Sequence, residues 1–438
     1  MEGRKATMLI NFTFSNYKVY RETAEFSMVA GRFQKHRESL MGIPGERYAK
    51  LLPIAAIYGG NASGKTSFVQ AIKCLRSIVL QGKPSLAEPH LFDKNPAPTR
   101  FVCCFSVGNH VFEYEVHISS GSVVYECLTD ATKGSNKIIF KRVPGQECEL
   151  GNHIDNDPTD SELLFAKKIG STLPAGELLI TTVIKLQVAA LHQHVIPCYK
   201  WFAETLCIIE ADSRRVGLGL DLFTQLSGYS TALAQADTGV EQLQFQEVNA
   251  NIEDVVPTHV LDKFKESDEN ILVIPDDNST LLVKDAAGGI KLIKCYSTYT
   301  SEDGNQTMIP LSKESDGTRR YLHLLPILMD KQVERVYVVD ELDRSLHTTL
   351  SRSLIKSFRN MVGQESCRQQ LIFTTHDVML MDEDNLRKDE IWVTERDDDH
   401  QALLFSFAEY KDIRPDLQMR KSYLEGRMGG LPKIECCL

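Results

Sequence analysis

The sequence predicts an α/β fold: a core built on a phosphate-binding glycine loop, an antiparallel β layer, and a helical insertion. Three observations carry that expectation. Leu51–Tyr58 (LLPIAAIY) is a short apolar run of the kind that makes a fully buried strand, and Gly59-Gly60-Asn61-Ala62-Ser63-Gly64-Lys65-Thr66 follows it directly. Arg100–Cys127 holds three short alternating runs separated by Gly-Asn and Ser-Gly. Far downstream, Val336–Val339 is a second buried-strand run that ends on Asp340-Glu341.

Composition sets the class. Of 438 residues, 42% are hydrophobic and 25% charged, as in an ordinary soluble globular protein. No apolar run approaches the roughly 18–20 residues of a membrane span, so no membrane association is expected, and the N-terminus carries no signal-peptide core. The eleven cysteines are odd in number and include no Cys-x-x-Cys, which points to reduced thiols in a cytoplasmic protein. A net charge of −10 supplies no global attraction to nucleic acid, although a local basic groove stays open.

In chain order, residues 1–7 read as an extension or tag remnant. Residues 8–160 form an N-terminal lobe, with strands at Met8–Phe14 and Arg21–Ala30, a loop over Gly31–Lys50, the glycine-loop unit, the β layer and a turn-rich Lys133–Asp160. Residues 161–268 read as the helical insertion, with helices at Leu178–Leu191, Val195–Leu206, Leu218–Gln235 and Val240–Asn249, broken by Pro174, Pro197 and Pro257. Trp201 and Phe202 read there as core aromatics. Residues 269–438 form a C-terminal lobe, with strands near Asn270–Ile274, Ser279–Lys284 and Lys291–Tyr296 and a helix over Tyr321–Met329.

The glycine loop has the P-loop pattern, and Ser67–Leu80 continues it with helical apolar spacing. Gly59 and Gly64 permit backbone conformations that let N–H groups converge on phosphate oxygens. The helix start beside them favours the same anion. Gly59, Asn61, Ala62, Ser63, Gly64, Lys65, Thr66 and Ser67 are therefore the candidate phosphate-binding residues. Lys65 is expected at the β- and γ-phosphates and Thr66 on Mg²⁺. The apolar strand would deliver Asp340 to the same Mg²⁺ and Glu341 to the attacking water. Gln370–Phe373 is a further buried run leading to Thr374-Thr375-His376-Asp377, with His376 at the ligand-bearing edge of an open sheet. Ser315 and Gly317 precede a helix whose free N–H groups suit a γ-phosphate.

Taken in chain order, the glycine loop, the Ser315-x-Gly317 helix start, Asp340-Glu341 with Asp343–His347 just after it, and the strand leading to His376 resemble ABC-type ATPase heads, a group that includes SMC proteins, RecF and the OLD-like ATPases. More narrowly, the chain is similar to the bacterial AAA-family ATPases of the RloA/AbiL type (AriA-like), encoded in phage-defence and restriction-associated loci. Phe14-Ser15-Asn16-Tyr17, Phe26-Ser27-Met28, Tyr58–Lys65, Glu314–Arg320 and Tyr423–Arg427 with Pro432 carry the narrower likeness. The resemblance implies two heads that sandwich two ATP molecules head-to-tail, as a dimer or higher oligomer. It assigns Lys65 and Thr66 to phosphate and Mg²⁺, Asp340 to Mg²⁺, and Glu341 to general-base catalysis. It assigns Ser315 and Gly317 to the γ-phosphate on the opposite subunit, Asp343 to the dimer interface, and His376 to the switch position. Two departures stand out. Asp316 intervenes between Ser315 and Gly317, and an acid there repels the phosphate, which implies either lowered turnover or compensation from Arg319 or Arg320. No Q-loop glutamine is recognisable either, since Gln187 and Gln193 lie in the insertion.

The resulting expectation is a Mg²⁺-dependent ATPase that regulates a partner effector, a nuclease encoded nearby, in antiphage defence, with a phage protein as trigger. The acids Asp389, Glu390 and Asp397–Asp399 lack the spacing of a fused nuclease. A RecF-like clamp on duplex DNA is the alternative, and a scaffold that binds ATP without useful hydrolysis is the third reading.

Overall fold

Residues 54–59 become a strand because β-branched and small apolar side chains there are buried on both faces. The computed structural model describes residues 7–90, 92, 97–134, 136–151, 161–211, 225–267, 269–274, 279–285, 289–330, 334–364, 367–410, 419–427 and 429–430. The chain divides into two compact units: Met1–Ile209 with Gln332–Leu342 and Ile355–Leu438, and Glu210–Lys331 with Asp343–Leu354. These units cut across the predicted insertion at 161–268, because the helices within 161–209 pack in the first unit.

The first unit holds two sheets. Its six-stranded sheet runs in the order Leu206–Ile209, Arg335–Val339, Gln369–Thr374, Ile54–Gly59, Ile391–Arg396, Ala402–Ser406. All neighbours are parallel except the last pair. Its seven-stranded antiparallel sheet contains Leu9–Ser15, Ala24–Ser27 and the predicted triple run, observed as Thr99–Val107, His110–Ser119 and Ser122–Asp130. Two further strands, Lys137–Arg142 and Glu149–Leu150, complete it from the stretch read as turns. The α/β architecture with an antiparallel layer is as predicted.

The P-loop helix, Lys65–Gln81, packs into this core through Phe68. Its ring lies 6.1 Å from Phe14 and 5.0 Å from Phe26, and Phe26 in turn lies 4.9 Å from Trp392. Trp201 and Phe202 are buried against Phe105, as core aromatics. Two buried ion networks brace the unit. Glu126 accepts the Leu179 and Ile180 N–H groups at the start of one helix, and Arg142 donates to the carbonyls of Gly170, Leu173, Pro174 and Glu177, at the end of the preceding helix and along the connection that follows it. Burial raises the Glu126 pKa from its ordinary value. Asp389 and Glu390 are held by Arg387 and Arg359.

The second unit contains a five-stranded sheet of Gln242–Glu247, Ile271–Val273, Thr280–Lys284, Ile290–Thr300 and Gln306–Pro310. Part of its core is Val256, Leu261, Phe264, Ile274, Leu282 and Leu292.

Several predicted helices differ. Val240–Asn249 is a strand over Gln242–Glu247, because Leu243 and Phe245 also fit a period of two and the ladder with residues 293–298 uses that period. Leu178–Leu191 breaks at Gln187, where φ is 49°, into Leu179–Leu186 and Ala189–Lys200. Val195–Leu206 is the tail of that second helix followed by a π-turn. Tyr321–Met329 breaks at Pro326. Leu226–Gln235 is helical as expected, while the Leu218 end of that prediction, the leading residues 1–6 and Pro432 lie outside the described residues. Among the described residues no single helix is long and apolar enough to cross a membrane.

Candidate functional site

The Ile54–Gly59 strand sits between Gln369–Thr374 and Ile391–Arg396, and its C-terminal end opens directly into the glycine loop. Gly59 lies opposite Thr394 in the ladder. A Cβ on Gly59 would fall 2.4 Å from Thr394 Oγ1 and 2.5 Å from Ser63 Oγ, and φ there is 155°. Gly64 has φ 116°, and a Cβ on it would meet Ala402 Cβ at 2.7 Å. Both positions therefore require glycine. Ala62 adopts φ 57° without that freedom. Ser63 Oγ is 2.6 Å from Thr394 Oγ1, and the Tyr20 hydroxyl donates to Gly64 O at 3.2 Å. Burial pushes the Tyr20 pKa well up, which keeps it a donor.

Lys65 is only 6% exposed, and its Nζ donates to Gly59 O at 2.7 Å and Gly60 O at 2.8 Å. The ammonium is thus curled over the mouth of the loop. Asn61 and Ala62 are exposed in the loop, and in the first turn of the helix Thr66 is exposed and Ser67 half-buried.

Asp340 follows directly on the Arg335–Val339 strand and is buried. The ladder pairs Val339 with Phe373, so the next residue, Thr374, stands beside Asp340. Thr374 Oγ1 is 2.7 Å from Asp340 Oδ1, and the Glu341 N–H donates to Thr374 Oγ1 at 2.7 Å. Thr66 Oγ1 is 3.5 Å from Asp340 Oδ1. Glu341 is half-buried and left-handed at φ 49°, a conformation that costs about 1–3 kcal/mol for a non-glycine residue. His376 is exposed, just past the Gln369–Thr374 strand. The structure thus brings residues 59–67, Asp340 and Glu341 to one edge of the parallel sheet, with His376 following the neighbouring strand.

Ser315 and Gly317 belong to the second unit. The Ser315 side chain caps helix Asp316–Leu324 by accepting the Thr318 N–H at 3.1 Å. A Cβ on Gly317 would lie 2.8 Å from Ser345 O. Arg319 pairs with Asp316, one turn away. Arg320 is buried and donates to Glu210 O at 3.1 Å, so Arg319 is the residue that answers the extra acid.

Three contacting residues escaped the sequence reading. Thr374 stands in the sequence only as the first residue after the apolar run Gln370–Phe373, with no role attached to it. Thr394 and Tyr20 carry no local signal, because Thr394 reaches the loop from the strand Ile391–Arg396 and Tyr20 from the turn between Leu9–Ser15 and Ala24–Ser27, both remote in sequence.

Residues 190–382 match the family described as "AAA domain, putative AbiEii toxin, Type IV TA system". No curated protein matches the chain. Among solved structures, the Smc head domain with a coiled coil and joint from Pyrococcus yayanosii is similar at 10% identity and TM-score 0.43, over 96% of this chain and 99% of that one. The SMC head domain from Thermotoga maritima is similar at 12% identity and TM-score 0.38, over 91% and 98%. The Smc head with an extended coiled coil bound to the C-terminal domain of ScpA, from Pyrococcus furiosus, gives 14% and 0.40, over 91% and 96%. The matched residues 190–382 include Asp340, Glu341 and His376, and the glycine loop at residues 59–66 lies outside that match.

Proposed function

We propose that the chain binds and hydrolyses ATP with Mg²⁺, assembles head-to-tail through the nucleotide, and thereby controls a partner nuclease in bacterial antiphage defence. The observation that carries the ATPase part is the hydroxyl–carboxylate set of Thr66, Asp340 and Thr374 beside a loop that tolerates no Cβ at Gly59 or Gly64. Thr66 Oγ1 and Asp340 Oδ1 are hard oxygen donors of the kind Mg²⁺ prefers, so these residues fit that ion. When bound, Mg²⁺ supplies charge neutralisation at the phosphates.

In this reading the N–H groups of residues 59–67 and the Lys65 ammonium hold the triphosphate. Glu341 orients and deprotonates the attacking water, and His376 contacts the γ-phosphate side. Ser315 and Gly317 serve the nucleotide of a second copy, with Arg319 offsetting the charge of Asp316. The defence setting rests on the sequence resemblance, and the family description, which names a toxin and a type IV toxin–antitoxin system, supports it. A phage protein as trigger, a cytoplasmic location and the nuclease partner belong to the same proposal.

The test is assembly. Glu341→Gln with saturating ATP and Mg²⁺ should elute as a dimer or larger species in size-exclusion chromatography with light scattering, and Lys65→Ala should neither bind ATP nor assemble. A Glu341→Gln protein that stays monomeric under those conditions overturns the head-to-tail arrangement. Nuclease activity of the purified chain alone, unchanged in Glu341→Gln, would overturn the separate effector. Duplex DNA binding that needs ATP and falls steeply with salt would favour a RecF-like clamp instead.

A further inference from the structure

Helix Ala189–Lys200 does not end in a loop. It widens into a π-turn at Trp201–Thr205 and becomes the strand Leu206–Ile209 with no residue between. The last turn of a helix leaves carbonyls without intrahelical donors, and here the chain that follows is committed to the ladder with Val336–Val339. The Trp201 carbonyl accepts the Leu206 N–H, the five-residue reach of a π-turn. The next two carbonyls accept from Arg76 of the P-loop helix: Nε to Phe202 O at 2.9 Å and Nη2 to Ala203 O at 3.2 Å. The fourth, Glu204 O, accepts from Arg335 Nη1 at 3.0 Å, and Arg335 opens the strand that leads to Asp340.

One turn of backbone is therefore gripped from the P-loop helix and from the Asp340 strand together. The opposite ends of those two elements meet at the site, through Thr66 Oγ1 and Asp340 Oδ1. From Thr66 to Arg76 the helix rises about 15 Å. From Arg335 to Asp340 the strand rises about 17 Å. The two struts have nearly equal length and are tied at both ends. A third member joins them, since the strand leaving the π-turn ends at Ile209, whose carbonyl accepts the Asp340 N–H at 2.9 Å. Trp201 and Phe202 of the turn also line a small apolar cavity with Leu9, Phe12, Ile72 and Leu75.

We infer that Arg76 is a positioning residue: by pinning the π-turn to the P-loop helix it sets the spacing of Thr66 and Asp340 at the other end. The inference rests on the ATPase reading above, and its test separates the two. In the full chain without nucleotide, Arg76→Met should speed hydrogen exchange of the amides over 206–209 and 337–341 at least tenfold. Arg76→Lys, which keeps the charge and one donor, should speed it less than threefold, and Arg335→Gln should reproduce the Arg76→Met pattern. ATP affinity in Mg²⁺ should fall about tenfold in Arg76→Met, whereas affinity in EDTA should change less than twofold. Unchanged exchange, a parallel loss of both affinities, or Arg76→Lys behaving like Arg76→Met would each overturn the role. If the wild-type chain binds no ATP, the ATPase reading fails, and the exchange measurement still decides whether Arg76 holds the Asp340 strand.

Discussion

Thr374 connects Asp340 to the backbone of Glu341: its hydroxyl is 2.7 Å from Asp340 Oδ1 and accepts the Glu341 N–H at 2.7 Å. A single side chain thus orients the carboxylate and helps hold the left-handed residue that follows it. Thr374→Val keeps the shape and removes both hydrogen bonds, together about 2–4 kcal/mol, since one of them reaches a charged group. We expect a lower melting temperature and at least a tenfold loss of Mg²⁺-ATP affinity by calorimetric titration, with Thr374→Ser close to wild type.

The glycine loop should reject the smallest side chain. Gly59→Ala places Cβ 2.4 Å from Thr394 Oγ1 and Gly64→Ala places it 2.7 Å from Ala402 Cβ, overpacking worth about 1–3 kcal/mol each. Gly176, whose Cβ would meet nothing within 4 Å, is the control. Melting curves should rank Gly176→Ala near wild type and both loop variants several degrees below it.

His323 should make stability depend on pH. Burial, then Arg320 and Arg319, lower its pKa from 6.5 to about 4. Between about pH 4 and 6.5 the unfolded chain therefore binds a proton that the folded chain refuses, so stability falls as pH drops through that window. Allowing for partial exposure, the full effect is about 2 kcal/mol. Urea midpoints for wild type should decline across this range, and His323→Phe should flatten that part of the decline.

Arg359→Met should be among the most damaging substitutions in the first unit. Glu390 is fully buried and takes two hydrogen bonds from that guanidinium, at 3.1 and 2.6 Å. Removing one partner of such a pair costs about 3–5 kcal/mol, while replacing both with apolar residues is often neutral. Thermal melts of Arg359→Met and of the double variant Arg359→Met/Glu390→Met should therefore differ, with the double variant the more stable.

The parts of the site that were legible are those written in local sequence. The P-loop announces itself because glycine spacing, a buried run before it and helical periodicity after it lie within one stretch of chain. The triple run at 100–127 was readable for the same reason, since period two and turn residues are short-range signals. The strand Gln242–Glu247 is ambiguous in sequence because Val240 and Leu243 stand at helical spacing while Leu243 and Phe245 alternate, and only the ladder with residues 293–298 chooses between the two periods.

What the sequence by itself determined is therefore the cradle, the Asp340 strand and the α/β class, each encoded by neighbouring side chains acting over a few residues. Tertiary structure alone decided which side chains complete them. Thr394 reaches Ser63 across 331 residues and Thr374 reaches Asp340 across 34, by ladder register rather than by any motif. Arg76 meets the π-turn only because a helix is converted to a strand without a loop, leaving carbonyls that must find a donor elsewhere. Buried polar groups need partners wherever the fold brings them, and linear spacing does not record where that is.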